Sequence, residues 1–359
     1  MSALEYLSIS ILVILGGASY GGIMLSDILL PLYALFLLYK KKSVSQTLLL
    51  IILFFALISY IFKFNSIDYT FVSQFVKFIS ILIALDSIQM EKGLIDCVKG
   101  PRLNFILMIW LLPLISVIFN LRPYEGYYID ANSGIFRHSV DITVYVICFY
   151  FVYLNIEPYI KNIKKYTVNF IVFVAALFSN SRSLILIALY FIFNVSRVKV
   201  IVAMFLSLAV ALPFVIEGVG DKATNFIVAI MALDWSYLAS DSSILVRFGN
   251  LYDALSEVRY NGLSKHEMHE LISSDDKALD NILLFKIIYY GPILGVLYFM
   301  IITFFLYRKM KNHLPIFIVL IIYGMLQDWM SNSFAILVIL HAVFTVQIIK
   351  DRKCQKKPV

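Results

Sequence analysis

Apolar runs long enough to cross a hydrocarbon layer of ~30 Å recur along the whole of this sequence. Twelve candidate spans can be marked, at about 6–23, 24–39, 46–62, 69–86, 104–119, 139–156, 166–179, 184–196, 199–217, 282–306, 314–328 and 334–349. Inside lipid every backbone polar group must find its partner within the protein, so only helices and closed barrels span a membrane. No strand-like alternation suited to a barrel is present. The expected fold class is therefore all-α, a polytopic integral membrane protein of about twelve transmembrane helices. Composition agrees, since 61% of residues are hydrophobic and only 15% charged, against ~25% charged in a soluble domain. An ordinary cytosolic enzyme is excluded. So is a disordered chain, because 29 Phe and 23 Tyr are more aromatic surface than such chains carry. The formal charge of +7 reports orientation in a membrane chain, and no nucleic-acid partner is read from it.

Lysine and arginine set that orientation. With both termini cytoplasmic, the inner segments hold 19 of the 30 basic residues, including Lys40, Lys41, Lys42, Lys161, Lys164, Lys165, Arg197, Lys199, Arg308, Lys309 and Lys311. The short outer segments hold Lys63, Arg122, Arg137 and Arg182 alone. Inverting the chain would reverse that bias. Basic residues flank 166–196 on both sides, so this region must cross an even number of times. It reads as a hairpin of two short arms with Asn180-Ser181-Arg182-Ser183 at its tip. Arms shorter than the usual ~20 residues would leave Arg182 recessed below the outer surface. The first span reads as a retained anchor, and the three cysteines, two on the cytoplasmic side and Cys148 within a span, give no reason to expect a disulfide. The whole of 1–359 reads as one transmembrane domain, with 218–280 as a large, partly helical outer cap. In that cap, Leu251, Ala254, Leu255 and Val258 have helical spacing, and Phe226–Leu233 is an apolar run too short to span.

The polar chemistry lies on the outer side. Arg122, Arg137, Arg182, Arg247 and Arg259 all fall there, and guanidinium suits bidentate phosphate contact and stays charged in a recessed site. The phosphates met at that depth are lipid-linked diphosphates. Transfer of a glycosyl group from such a donor must neutralise a diphosphate leaving group, with a divalent metal or with fixed cations. No Asp-x-Asp occurs in the chain, so fixed arginines are expected and no metal site is assigned. His266-Glu267-Met268-His269-Glu270 lacks the His-Glu-x-x-His spacing of a zinc helix. Each candidate also has a plain structural reading. Arg182 could snorkel at a hairpin tip, Arg247 could pair with Asp241 or Asp253, and Arg122 and Arg137-His138 could be interfacial polarity. Arg259 reads as solvated surface. Asp280-Asn281 opens the span at 282 and either caps it or supplies, through Asp280, a base for an attacking sugar hydroxyl. Lys77 is an intramembrane charge, with Asp86 or a carbonyl as its expected neutralising partner. Asp328 and Trp329 read as interfacial anchors.

These residues resemble those of the O-antigen polymerase (Wzy-type) family, within the O-antigen polymerase and ligase group of bacterial inner-membrane glycosyltransferases. Ser181-Arg182-Ser183 resembles the Ser-Arg turn between two spans of that family. Ser243-Ile244-Leu245-Val246-Arg247 resembles the Ser-x-x-x-Arg near the start of its large periplasmic segment. Asp280-Asn281 with Tyr290-Gly291-Pro292-Ile293-Leu294-Gly295 resembles the polar pair and paired glycines of the following span, and Asn132–His138 the mouth of another. The resemblance covers residues 120–300. Ligases commonly carry His-Asn where this chain has Asp280-Asn281, which favours a polymerase.

The resemblance implies a metal-independent, cofactor-free glycosyltransferase that joins undecaprenyl-diphosphate-linked oligosaccharide repeat units into O-antigen, a lipopolysaccharide component, at the periplasmic face of the bacterial inner membrane. Arg182, Arg247 and Asp280 would be catalytic, and Arg137, His138, Arg122 and Asn281 would bind substrate. Its partners would be the lipid-linked donor and acceptor, the bilayer and a chain-length regulator. The rivals are a flippase or other transporter of lipid-linked saccharides, an O-antigen ligase and a non-catalytic assembly partner. A transporter should carry polarity through the full bilayer depth, with helix interruptions matched between two halves. Few such interruptions are visible in the sequence.

Overall fold

The computed structural model describes residues 3–17, 19–20, 23–41, 44–63, 69–88, 103–121, 136, 139–160, 165–179, 181–195, 258–263, 267 and 281–355. These residues are all-α apart from one two-residue ladder. Helices α1 (Ala3–Leu15), α2 (Leu25–Lys41), α3 (Gln46–Lys63), α4 (Tyr69–Ser87), α5 (Leu103–Ile118), α6 (Ser139–Ile156), α7 (Lys165–Phe178) and α8 (Arg182–Val195) follow one another. After the segment 196–280 come α9 (Ile282–Tyr290), α10 (Pro292–Met310), α11 (Leu314–Leu326) and α12 (Ser333–Gln355). The expected span at 199–217 and the expected cap elements at 226–233 and 251–257 lie outside the described residues. Among those described, two helical stretches, Asp141–Tyr159 and Pro292–Met325, are long and apolar enough by length and composition to cross a membrane, and shorter apolar helices accompany them.

The chain divides into two compact units. The first holds Met1–Ser26, Lys92–Leu238 and His341–Val359. Its centre is α6, whose residues 141–153 are all buried. A helix apolar on every side has no solvent face to offer, and here α5 and α8 pack on it while α7 packs on both of those. Several polar side chains inside this unit bond one another. His341 bonds Ser10 Oγ through Nε2 at 3.0 Å and lies between the rings of Tyr6 and Trp110, with centroids at 5.5 and 5.6 Å. Trp110 Nε1 donates to Tyr6 OH at 3.1 Å, and Tyr145 OH donates to the Trp110 carbonyl at 2.9 Å.

The first span is shorter than the apolar run at 6–23 suggests. Helix α1 stops at Leu15, and β1 (Ser19–Tyr20) pairs antiparallel with β2 (Ile23–Met24). The cause is local. Gly16-Gly17 and Gly21-Gly22 are weak helix formers that a hydropathy sum hardly penalises.

The second unit holds Asp27–Glu91 and Ala239–Leu340. Helix α10 packs on α3, α4 and α11, and the rings of Phe55, Phe78 and Tyr298 meet between them. The apolar stretch expected as one span at 282–306 is two helices. Gly291, at φ +86°, turns the chain back so sharply that a Cβ on Gly295 would lie 2.4 Å from the Lys286 carbonyl oxygen. In a continuous helix those residues would stand about 13 Å apart. Only glycine adopts that backbone freely, and Pro292 after it cannot continue the hydrogen-bond ladder. The described stretch 258–263 braces the turn, with Leu263 N donating to the Ile288 carbonyl at 2.9 Å.

The helices of this unit turn apolar stripes outward. Ile28, Leu32, Leu35 and Tyr39 on α2 are exposed, as are Leu50, Leu53, Leu57 and Ile61 on α3 and Met300, Phe304 and Tyr307 on α10. Two charged residues lie inside, Lys286 at 0% and Asp86 at 4% exposed.

Candidate functional site

Among the residues the sequence singles out for substrate or catalysis, Asn281 is the one whose side chain is described. Its Oδ1 accepts from the amides of Leu283 and Leu284, each at 3.0 Å, and its Nδ2 donates to the Met325 carbonyl at 3.0 Å. It therefore caps α9 and ties that cap to the end of α11. Asp280, Arg247, Arg122, Arg137 and His138 lie outside the described residues. Arg182 is the first residue of α8, and its side chain too lies outside them.

Helices α7 and α8 have 14 residues each and pack on one another, as a hairpin requires. Ser181 caps α8, its carbonyl accepting from Ile185 N at 3.0 Å and its Oγ from Leu184 N at 3.4 Å. Ser179 and Ser181 are only 1% and 9% exposed.

In the second unit the structure assembles a polar cluster that the sequence revealed only in pieces. Lys77 on α4 pairs with Asp27 on α2 at 2.9 Å, and Ser333, at the head of α12, donates to the same carboxylate oxygen at 2.5 Å. This corrects the expected pairing of Lys77 with Asp86. The two residues are nine apart on one helix, about 13 Å along its axis, and Asp86 instead holds Lys41 at 2.7 Å. Lys286 on α9 donates to Ser331 Oγ at 2.7 Å, and Ser331 donates in turn to Asp328 Oδ2. The Lys286 ammonium also stands 4.8 Å from the centroid of the Tyr298 ring, a cation–π contact in a desolvated place.

The expected anchor role of Trp329 is corrected as well. It is 1% exposed and donates through Nε1 to the Leu320 carbonyl at 3.1 Å, closing the non-helical link between α11 and α12.

The cluster matches two ammonium groups with two carboxylates, and Asp328 and Lys77 both act electrostatically on Lys286. The Tyr290 and Tyr298 hydroxyls are buried without a hydrogen-bond partner among the described residues. Lys286, Ser331, Ser333 and Asp27 were not marked from sequence. The signal for Lys286 was there, because a lysine inside the apolar stretch Ile282–Tyr290 reads as an intramembrane charge by the same rule that marks Lys77. No protein-family model, curated protein or solved structure matches the chain.

Proposed function

We propose that this chain is a bacterial inner-membrane O-antigen polymerase, crossing the membrane about twelve times with both termini in the cytoplasm. The membrane reading draws on the inverted polarity of the second unit, since exposed contiguous apolar stripes over a charged interior suit lipid and not water. It also draws on the bias of basic residues toward one side. In this arrangement α10 runs from the outer surface at Gly291 to the cytoplasmic Arg308 and Lys309. Helix α9 is then a half-helix in the outer part of the layer, with Asn281 about 13 Å below its rim.

The observation that carries the reaction is the burial of Ser179 and Ser181 with Arg182 next in the chain. Fourteen helical residues reach about 21 Å, short of the ~30 Å of hydrocarbon. An arginine there sits recessed on the outer side, at the depth of a lipid-linked diphosphate. Arg182 and Arg247 hold the leaving diphosphate and Arg137 assists. The hydroxyl oxygen of one repeat unit attacks the anomeric carbon of the growing chain. The bond from that carbon to the diphosphate oxygen breaks with its electron pair leaving on the diphosphate, and the hydroxyl proton passes to Asp280. The outer segment 218–280 holds two lipid-linked sugars in line, an entropic contribution. Arg122, His138 and Asn281 belong to the binding surface in this reading, Asn281 by fixing the start of α9.

Flipping of a lipid-linked saccharide is the second reading, favoured by one observation, the discontinuous helix at Gly291 beside intramembrane Lys77 and Lys286. A chromosomal deletion separates the two. Loss of a polymerase is expected to leave single repeat units on surface lipopolysaccharide while the ladder disappears. A deletion that removes surface repeat units altogether would point to the flippase, and an unchanged ladder would exclude both.

A further inference from the structure

Three helix ends of the second unit meet at a basic cluster that the proposed chemistry leaves unused. Helix α2 ends in Lys40 and Lys41, α10 ends in Arg308 and Lys309, and Lys311 follows in the next turn. Asp86, at the end of α4, is the carboxylate among them, and it is already committed. It takes Lys41 Nζ at 2.7 Å and Ser45 Oγ at 2.9 Å, which clamps the end of α2 to the cap of α3. Lys309 lies within electrostatic reach of Lys41, Arg308 and Asp86 and is half-buried, with no hydrogen bond or ion pair of its own among the described residues.

The same place is amphipathic. Lys40 folds back over Phe36 at 5.6 Å and Arg308 over Phe304 at 5.9 Å, each one turn along its own helix. The stems thus lie along the exposed apolar stripes that end in Tyr39 and Tyr307, with the charged heads beyond them. A soluble anion would match the charge alone. A molecule with a phosphodiester head and apolar chains matches charge and stripe together.

We propose that the ends of α2, α4 and α10 form a binding site for the headgroup of an anionic phospholipid in the cytoplasmic leaflet. The site rests on the membrane part of the reading above and not on polymerisation.

The test uses purified full-length protein in phosphatidylcholine mixed micelles, titrated with phosphatidylglycerol. Phosphatidylglycerol is expected to raise the melting midpoint, whereas added phosphatidylcholine or inorganic phosphate at the same concentration leaves it unchanged. Each basic residue near an anionic surface contributes ~1 kcal/mol, so Arg308→Gln with Lys309→Gln should weaken phosphatidylglycerol binding about thirtyfold. The charge-keeping pair Arg308→Lys with Lys309→Arg should hold it, which guards against a folding defect, and so should Arg259→Gln in the outer segment. Equal response to phosphatidylcholine, an equal response to inorganic phosphate, or wild-type affinity in the double glutamine variant would each overturn the site. No polymer enters these readouts, so failure of the polymerase reading leaves the result standing. Recovery of the protein in the aqueous fraction without detergent would remove the membrane reading and the lipid site together.

Discussion

Arg182→Lys is expected to abolish the polysaccharide ladder while the protein stays at its normal level in the membrane. The substitution keeps the charge and removes the planar pair of donors that grips two phosphate oxygens at once. If Arg182 merely anchored the tip of the α7–α8 hairpin, lysine would serve, since both side chains snorkel equally well. If it holds the leaving diphosphate, lysine loses part of a contact that strengthens as the bond breaks, and the rate should fall by about 10²–10³. Laddering on gels, with immunoblots matched for protein level, reads the result. A wild-type ladder from Arg182→Ala would refute a substrate role.

The second large effect is on stability, and it is asymmetric. Lys286 is wholly buried and Asp328 only partly. Asp328→Asn therefore leaves an ammonium in an apolar interior without its nearest counter-charge, at a cost of about 3 kcal/mol. Lys286→Met leaves a carboxylate that still reaches the surface, at about 1 kcal/mol. The double variant should resemble Lys286→Met alone, since no buried charge remains to be balanced. Hydrogen bonds between helices in lipid average only ~0.6 kcal/mol, so the ion and not the Ser331 bridge decides the ranking. Unfolding of the detergent-solubilised variants checks this, and strict additivity of the two substitutions would contradict the coupling.

Much of the helical order was legible in the chain. The ends of α2, α3, α4 and α6 fall within a few residues of the apolar runs, because polar or charged residues interrupt hydropathy where the helix stops, as Lys40 and Lys41 do for α2. The reversal at Gly291 was not, although Gly-Pro is the strongest local breaker, because the residues on both sides are apolar and a summed hydropathy passes over the turn. Lys77 shows a different limit. Proximity in sequence suggested Asp86, whereas its partner Asp27 comes from fifty residues away, on α2, and only the folded chain brings it near. Asn281 was legible in one of its two readings, as a cap, because capping depends on the few residues that follow. The arginines and Asp280 stand on motif spacing alone, and spacing says which chemistry is available without saying where its atoms converge.

Polymerisation itself can be measured with purified protein in liposomes, supplied with undecaprenyl-diphosphate-linked repeat units and a metal chelator. A ladder of lipid-linked polymer is expected, undiminished by the chelator and absent from Arg182→Lys. Repeat units that remain single, or a ladder that forms only when a divalent cation is restored, would contradict catalysis by fixed arginines.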